Sequence, residues 1–369
     1  MTRVLLSAAE ASADGPAAAV ATALRARLPG VELEGVGGPA LRAAGVSLLE
    51  RMERLSASGL VEAVGHAAIH LRLLRDLGRR IRRGRYDLVV VVDYPGFHLR
   101  LARHAAAARV PVLYYIAPQL WAWGAWRVDA LRRRVRELAV ILPFEEPFFA
   151  RHGVRSRFVG HPLLDRPAPP SRDAARTTLG LAADAPVVAL FPGSRPHEIR
   201  HHWPVLREAS LLLRRAVPDA EVVVAGTPEG VYPGGGAGRI WRGAKDVLLA
   251  AADAAVTKAG TTTLEAALAG LPMVIAHRTH PLTFATARRL VRVKRIGLVN
   301  LLADGDVAPE LLQGAATPVA VLEALLPLLD PEGAPARGQR AAFRRVRSVL
   351  GEPGAGARVA ELAYGLVAA

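Results

Sequence analysis

Leu88-Val89-Val90-Val91-Val92-Asp93-Tyr94-Pro95-Gly96-Phe97 is the stretch that decides the fold. Leu88 to Val92 is an unbroken apolar run, β-branched after its first residue, and it stops at a turn signal. Such a run suits a strand buried on both faces, as in a parallel sheet covered by helices on either side. A helical pattern from Leu99 to Ala108 follows, then a second apolar run from Val110 to Ile116. Upstream, Arg3 to Ala8 reads as a strand and a helix starts near Pro16. Downstream the alternation resumes with Val187 to Phe191, a helix through Arg215, Glu221 to Ala225, Ala254 to Thr257, a helix from Thr262 to Ala269, and Met273 to Ala276. Strand and helix alternate in both halves, which predicts an α/β protein with two Rossmann-like, doubly wound domains.

Between the two series lies Asp165-Arg166-Pro167-Ala168-Pro169-Pro170-Ser171, whose prolines hold an extended backbone. The expected domains are therefore 1–165 and 176–335, joined by a linker over 166–175. A helical segment over 336–369 is expected to pack back toward the first domain. Open α/β sheets bind ligands beyond the C-terminal ends of their strands, so a central cleft faced by both domains is the expected site.

Composition narrows the function classes. The chain of 369 residues has no cysteine, which excludes disulfides, thiolate nucleophiles and Cys-ligated metals. The net charge of +15, nearly all from arginine, calls for an anionic partner or reflects solvated helix faces. Val4-Leu5-Leu6 is cut short by Glu10 and Asp14 before it reaches signal-peptide length, and no stretch approaches the ~20 apolar residues that cross a bilayer. A cytoplasmic protein with peripheral membrane contact is expected. The contact segment would run from Leu60-Val61-Glu62-Ala63-Val64 through Ile69 to Leu74 and Arg79-Arg80-Ile81-Arg82-Arg83, although an ordinary amphipathic surface helix explains the same pattern.

Two strand-to-helix loops carry the physics of a diphosphate site. In Thr257-Lys258-Ala259-Gly260-Thr261-Thr262-Thr263-Leu264-Glu265, a glycine admits close approach and a helix N-terminus offers free N–H groups. Lys258 adds charge, and Glu265 can accept from ribose hydroxyls; a capping threonine run is the competing explanation. Phe191-Pro192-Gly193-Ser194-Arg195 repeats the arrangement with an arginine to neutralise a departing nucleotide, and Glu198 can orient that arginine. In the first half, Glu10, Ser12 and Asp14 occupy the loop after the opening strand, where Ser12 or Asp14 also suits a plain helix cap. Asp93 ends a buried strand, where apolar surroundings would raise its pKa into the range of a general base. Tyr114, Tyr115, Gln119, Trp121 and Trp123 can line a sugar site or simply pack, and His161 before Pro162 reads as structural. No metal-ligand spacing is found; His201 and His202 point apart, and neither metal nor cofactor is expected.

Taken in order, these motifs resemble lipid-A-disaccharide synthase, an inverting GT-B glycosyltransferase. The matching pieces are Glu10-Ala11-Ser12-Ala13-Asp14, Val36-Gly37-Gly38-Pro39, Asp93-Tyr94-Pro95-Gly96-Phe97, Pro118-Gln119-Leu120-Trp121-Ala122-Trp123 and Leu142-Pro143-Phe144-Glu145. They continue with Phe158-Val159-Gly160-His161-Pro162-Leu163, Pro192-Gly193-Ser194-Arg195, Gly260-Thr261-Thr262-Thr263-Leu264-Glu265, Asn300-Leu301-Leu302 and Glu310-Leu311-Leu312-Gln313. The resemblance implies transfer of diacylglucosamine from UDP-diacylglucosamine to diacylglucosamine phosphate, with Asp93 as base. It places Ser194, Arg195, Gly260, Thr261, Thr262, Glu265, Asn300, Glu310 and Gln313 on the donor nucleotide in the second domain. Glu10, Ser12, Gln119 and His161 fall on the sugars in a membrane-facing first domain. The implied partners are the two lipid substrates and the anionic inner face of the cytoplasmic membrane, without nucleic acid; a homodimer is left open. Ala11, Ala13, Gly96, His98 and Gly124 depart from the family's usual residues. Gly124 stands where an arginine is expected, with Trp126 and Arg127 close by as substitutes. The rival expectations are another GT-B enzyme, either a lipid-linked N-acetylglucosaminyltransferase or a UDP-sugar epimerase, and a non-enzymatic binder of nucleic acid or anionic membrane.

Overall fold

The computed structural model describes residues 1–52, 60–280, 284 and 295–368. It divides into two compact units, Met1–Arg166 with Leu350–Ala369, and Pro167–Val349. In the first unit, β1 (Arg3–Ala8), β2 (Glu32–Gly37), β3 (Ser47–Arg51), β4 (Leu88–Val92), β5 (Val112–Tyr115), β6 (Glu137–Val140) and β7 (Ser156–Phe158) form one sheet. Its order is β3-β2-β1-β4-β5-β6-β7, and neighbouring strands run parallel. The winding reverses between β1 and β4, which pair with Ser7 opposite Val91 and Ala8 opposite Val92.

The apolar run of β4 divides by the two-residue strand period. Val89 and Val91 enter one core with Leu77, Ile81, Phe97 and Leu101. Leu88, Val90 and Val92 enter the core on the opposite face with Val20, Leu24, Val359 and Ala363. Full burial of each such side chain is worth about 1.5–3 kcal/mol, so the strand is fixed from both faces. The two helical layers are Leu60–Arg82 with Pro95–Ala107 on one side, and Ala11–Arg27 with Ala355–Ala368 on the other.

The second unit repeats the plan with β8 (Val187–Phe191), β9 (Glu221–Ala225), β10 (Arg239–Trp241), β11 (Ala254–Thr257), β12 (Met273–His277) and β13 (Glu310–Leu312). The order is β10-β9-β8-β11-β12-β13, again parallel, with the reversal between β8 and β11.

Several boundaries differ from expectation. The helix after β1 begins at Ala11 and carries Pro16 inside it, so Ser12 and Asp14 are helical rather than on a loop. The helix after β4 begins at Pro95, because a proline's missing N–H costs nothing in a first turn. A helix over Arg172–Leu179, capped by Ser171, overlaps the end of the stretch 166–175 expected as linker. Its Arg176 is buried and donates to the carbonyls of Ala182, Ala183, Ala185 and Ala251 and to Asp253, which ties it into the second unit. Of the final helical segment, Ala334–Val349 stays with the second unit, where Gln339 bonds both the N–H and the C=O of Met273 at 2.8 and 3.1 Å. Ala355–Ala368 packs on Ala11–Arg27 in the first unit.

Candidate active site

Asp93 leaves β4 at the point where the first sheet reverses its winding. Asp93 and Tyr94 both take left-handed backbone conformations, with φ of 55° and 47°. Neither is glycine, so each costs on the order of 1 kcal/mol or more, and two in succession mark a turn held by its surroundings. The holding groups are visible. The Asp93 N–H donates to the Tyr115 carbonyl at 2.9 Å. The Asp93 carbonyl accepts from the Tyr114 hydroxyl at 2.8 Å and from His98 Nδ1 at 2.6 Å. His98 is fully buried, and burial pulls its pKa down to about 4 although the bond to Asp93 opposes the shift. The ring is therefore neutral; with Nδ1–H donating to a carbonyl, Nε2 accepts from the Ser7 hydroxyl at 2.9 Å. The Asp93 carboxylate accepts from the Tyr94 N–H at 2.8 Å through Oδ1 and remains half-buried.

The Tyr114 hydroxyl reports which charges converge here. Burial pushes its pKa well above the ordinary value; Asp93 and Glu10 add to the rise, and Arg127 opposes it. The charges of Asp93, Glu10 and Arg127 are all felt at this hydroxyl, and Arg127 lies over the rings of Trp123 at 5.7 Å and Trp126 at 5.6 Å. Both tryptophans are exposed. Gly124 between them has φ of 81°, a conformation that an arginine there would adopt only with strain.

The other first-unit candidates separate. Ser12 is exposed in the first turn of its helix. Asp14 is buried and accepts from the N–H groups of Gly38, Ala40 and Leu41 at 2.7, 2.8 and 3.3 Å, so it caps the helix Pro39–Ala43 rather than its own. Gln119 is exposed on the loop after β5. That loop is anchored by Trp121, whose Nε1 donates to Glu145 at 3.0 Å while the other Glu145 oxygen accepts from the N–H groups of Ile141 and Leu142. Burial pushes Glu145 up to about 7 against the pull of these three donors. His161 is buried, accepts from the Leu163 N–H at 3.2 Å and donates its own N–H to the Leu350 carbonyl. It joins the end of the first sheet to the returning C-terminal segment. The segment Leu60–Val64 is helical in backbone, and its side chains lie outside the described residues. Further along that helix Arg72, Arg75, Arg79 and Arg82 line one surface pocket with Asp76.

In the second unit the two diphosphate-type loops leave β8 and β11, the strands that flank the reversal, and Glu198 ties them together. One of its oxygens accepts from the N–H groups of Ser194 and Arg195 at 2.9 and 3.3 Å; the other accepts from Lys258 Nζ at 2.8 Å. Burial alone would raise the Glu198 pKa, but the Lys258 bond and charge, with the two amides, overcome it and hold the group down to about 2. Gly193, with φ of 132°, permits the closure, since a Cβ there would lie 2.6 Å from Glu198 Cβ. Gly260 has φ of 147° and starts the helix Thr261–Leu268, with Thr261 exposed and Thr262 half-buried. Glu265 is buried and ion-paired to Lys245.

Asn300 and Glu310 form a closed unit. Asn300 is fully buried; its amide donates to the Ala308 carbonyl and to Glu310, and its oxygen accepts from the Ala308 N–H. Glu310 also accepts from the N–H groups of Ile296 and Gly297. Gln313, at φ of 49°, accepts from the Thr279 N–H at 3.1 Å. His202, buried on the helix Pro196–Ala216, lies tilted at 45° against His277 at the end of β12, with ring centroids 5.1 Å apart. Its Nδ1 meets the Glu198 carbonyl at 2.7 Å. Among the described residues, His202 Nε2, His277 Nδ1 and Gln313 Nε2 are buried without a hydrogen-bond partner.

Sequence reasoning missed Lys245, the bonds of His98 and Tyr114 to the Asp93 carbonyl, and Glu145 as the anchor of Trp121. No local spacing signals them, because each acts through a partner on another element. The pairing of Glu198 with Lys258 escapes it for the same reason.

The sequence pattern of the family described as Lipid-A-disaccharide synthetase matches residues 4–352. A lipid-A-disaccharide synthase of Anaeromyxobacter sp. (strain K) is 41% identical, over 99% of this chain and 97% of the relative. The chain belongs to the lipid-A-disaccharide synthase family. It is a glycosyltransferase of lipid A biosynthesis, as the resemblance implied. Two solved structures share the fold. One is a UDP-N-acetylglucosamine 2-epimerase assigned in Listeria monocytogenes, with a TM-score of 0.67 and 11% identity over 97% of this chain and 94% of that one. The other is MurG of Acinetobacter baumannii, with a TM-score of 0.58 and 17% identity over 99% and 100%. At these identities they speak for the fold alone, and that fold is GT-B.

Proposed function

We propose that the chain joins UDP-2,3-diacylglucosamine to 2,3-diacylglucosamine 1-phosphate, releasing UDP and giving the phosphorylated disaccharide with inversion at the anomeric carbon. Asp93 takes the proton of the acceptor hydroxyl as its oxygen bonds the anomeric carbon and the bond to UDP breaks. Arg195 and Lys258, with the helix starting at Thr261, offset the charge that collects on the departing diphosphate. Glu198 keeps the two loops in register. Arg127, held over the Trp123 and Trp126 rings, supplies the cation for the acceptor phosphate where Gly124 supplies none. Glu10 and Gln119 contact the sugars. Asn300 and Glu310 act on the donor by fixing the start of the helix Leu298–Ala303.

The observation that carries the reading is the half-buried Asp93 carboxylate on a doubly left-handed turn at the winding reversal, whose charge is felt at the Tyr114 hydroxyl together with those of Glu10 and Arg127. Lipid substrates also call for work at a membrane surface. No helix among the described residues is long and apolar enough to cross one. The reading is of peripheral attachment to the anionic inner face of the cytoplasmic membrane, by Arg72, Arg75, Arg79 and Arg82 with exposed Trp123 and Trp126.

The test is turnover with both lipid substrates, with UDP-N-acetylglucosamine as the competing donor. Wild type should form the lipid disaccharide, and Asp93→Asn should lose at least about a hundredfold in kcat. Full rate in Asp93→Asn, or preference for UDP-N-acetylglucosamine, defeats the proposal.

A further inference from the structure

The buried polar groups behind Asp93 form a chain that runs through a single peptide unit. The Ser7 hydroxyl donates to His98 Nε2 at 2.9 Å, and His98 Nδ1–H donates to the Asp93 carbonyl at 2.6 Å. That carbonyl shares its peptide plane with the Tyr94 N–H, which donates to Asp93 Oδ1 at 2.8 Å. Tyr114 reinforces the same carbonyl at 2.8 Å. Donors placed on a peptide oxygen polarise the group and make its N–H a better donor, so hydrogen bonds linked in this way strengthen one another. The chain ends on the carboxylate assigned to take the acceptor proton.

We infer that His98 is a positioning residue which, with Ser7 and Tyr114, sets the orientation and basicity of the Asp93 carboxylate through the Asp93–Tyr94 peptide. This rests on the reading of Asp93 as the base. Two features separate the assembly from plain packing. Its polar atoms converge on one carbonyl at a turn whose left-handed residues are intrinsically disfavoured. His98 also stays neutral across the working pH range, so its Nδ1–H is a steady donor and its Nε2 a steady acceptor. A stronger Tyr94 N–H bond favours the ionised carboxylate and lowers its pKa, so weakening the chain should raise that pKa and release the carboxylate from its rotamer.

The experiment compares His98→Asn, His98→Gln and Tyr114→Phe with wild type and Asp93→Asn, measuring kcat, donor KM and the acid limb of the kcat–pH profile. Asn places its amide N–H where His98 Nδ1 stands, whereas Gln places its own near Nε2. The inference expects His98→Gln and Tyr114→Phe to lose roughly 5- to 20-fold in kcat with donor KM unchanged, and their acid limbs to move to higher pH. His98→Asn should recover most of the rate and the wild-type limb. Melting temperatures and UDP affinity identify any variant that fails to fold; Tyr114→Phe, which removes one oxygen, keeps the test open if the His98 variants do not fold. Inactive Asp93→Asn together with unmoved acid limbs in His98→Gln and Tyr114→Phe overturns the relay and leaves the base standing. Full rate in Asp93→Asn removes the base and the relay with it.

Discussion

Replacing Glu198 with glutamine tests how the donor-side loops are held. The carboxylate bonds two loop amides and Lys258, and the Glu198 and Lys258 side chains are only 15% and 20% exposed. Its pKa falls from the ordinary 4.5 to about 2. At about 1.36 kcal/mol per unit, the ion contributes at most about 3.4 kcal/mol. Glutamine keeps one acceptor oxygen and the partial exposure admits screening, so about 1.5–3 kcal/mol is the expected loss at pH 7. Because the folded pKa is depressed, this stability is fully present above pH 4.5 and disappears as pH falls toward 2. For a unit spanning Pro167–Val349 the loss corresponds to a drop in Tm of about 3–12 °C. Melts followed by circular dichroism in half-unit pH steps from 7 downward should show a gap between wild type and Glu198→Gln that is constant to about pH 5 and narrows below it. Equal melting at pH 7, or a gap that does not respond to pH, would refute the view that the ionised carboxylate holds the loops. UDP affinity should fall with the same substitution, since Lys258 and the amides lose their registration.

Arg176→Met should lower the stability of the second unit by about 3–5 kcal/mol and spare the first, because loss of the buried guanidinium leaves several carbonyls without their donor and Asp253 with only Arg172 and the Val187 N–H. Urea unfolding read separately on the two units checks this; a uniform shift in both contradicts it. Asp14→Ala should destabilise the first unit by about 2–3 kcal/mol, as three N–H groups at the start of Pro39–Ala43 lose their acceptor. Hydrogen exchange at Gly38, Ala40 and Leu41 should rise well above that of the surrounding helices.

The architecture was largely legible because burial on both faces leaves a one-dimensional trace. Leu88–Val92, Val187–Phe191 and Ala254–Thr257 are strands with the expected bounds, since each is an apolar run closed by a turn residue. Helix starts were less legible. Pro16 and Leu99 looked like first turns, yet tertiary packing extended the helices back to Ala11 and Pro95. The candidate site was legible where its residues follow a strand end directly or within three positions, as for Asp93, Gly193 and Gly260. It was illegible where a side chain serves a distant partner. Asp14 caps a helix that starts 25 residues later, at Pro39, and Glu198 meets a lysine 60 positions away. Asn300 and Glu310 were both picked out, but their mutual bond depends on the turn between them, which spacing does not specify.

The helix Ala355–Ala368 supplies Val359, Ala360 and Ala363 to the same core as Val20, Ala21 and Leu24. Gly356 sits so near Ala19 that an added methyl would lie 2.7 Å from its Cβ. The first unit therefore emerges from the ribosome lacking one wall of its own interior, and must wait for residues 355–368 to be synthesised before that interior closes. The intervening unit, whose sheet is continuous in sequence, can mature first. Emergence of residues 355–368 then becomes the moment at which the unit bearing Asp93 acquires its final shape, and a nascent chain stalled before residue 355 would expose that unfinished face to chaperones.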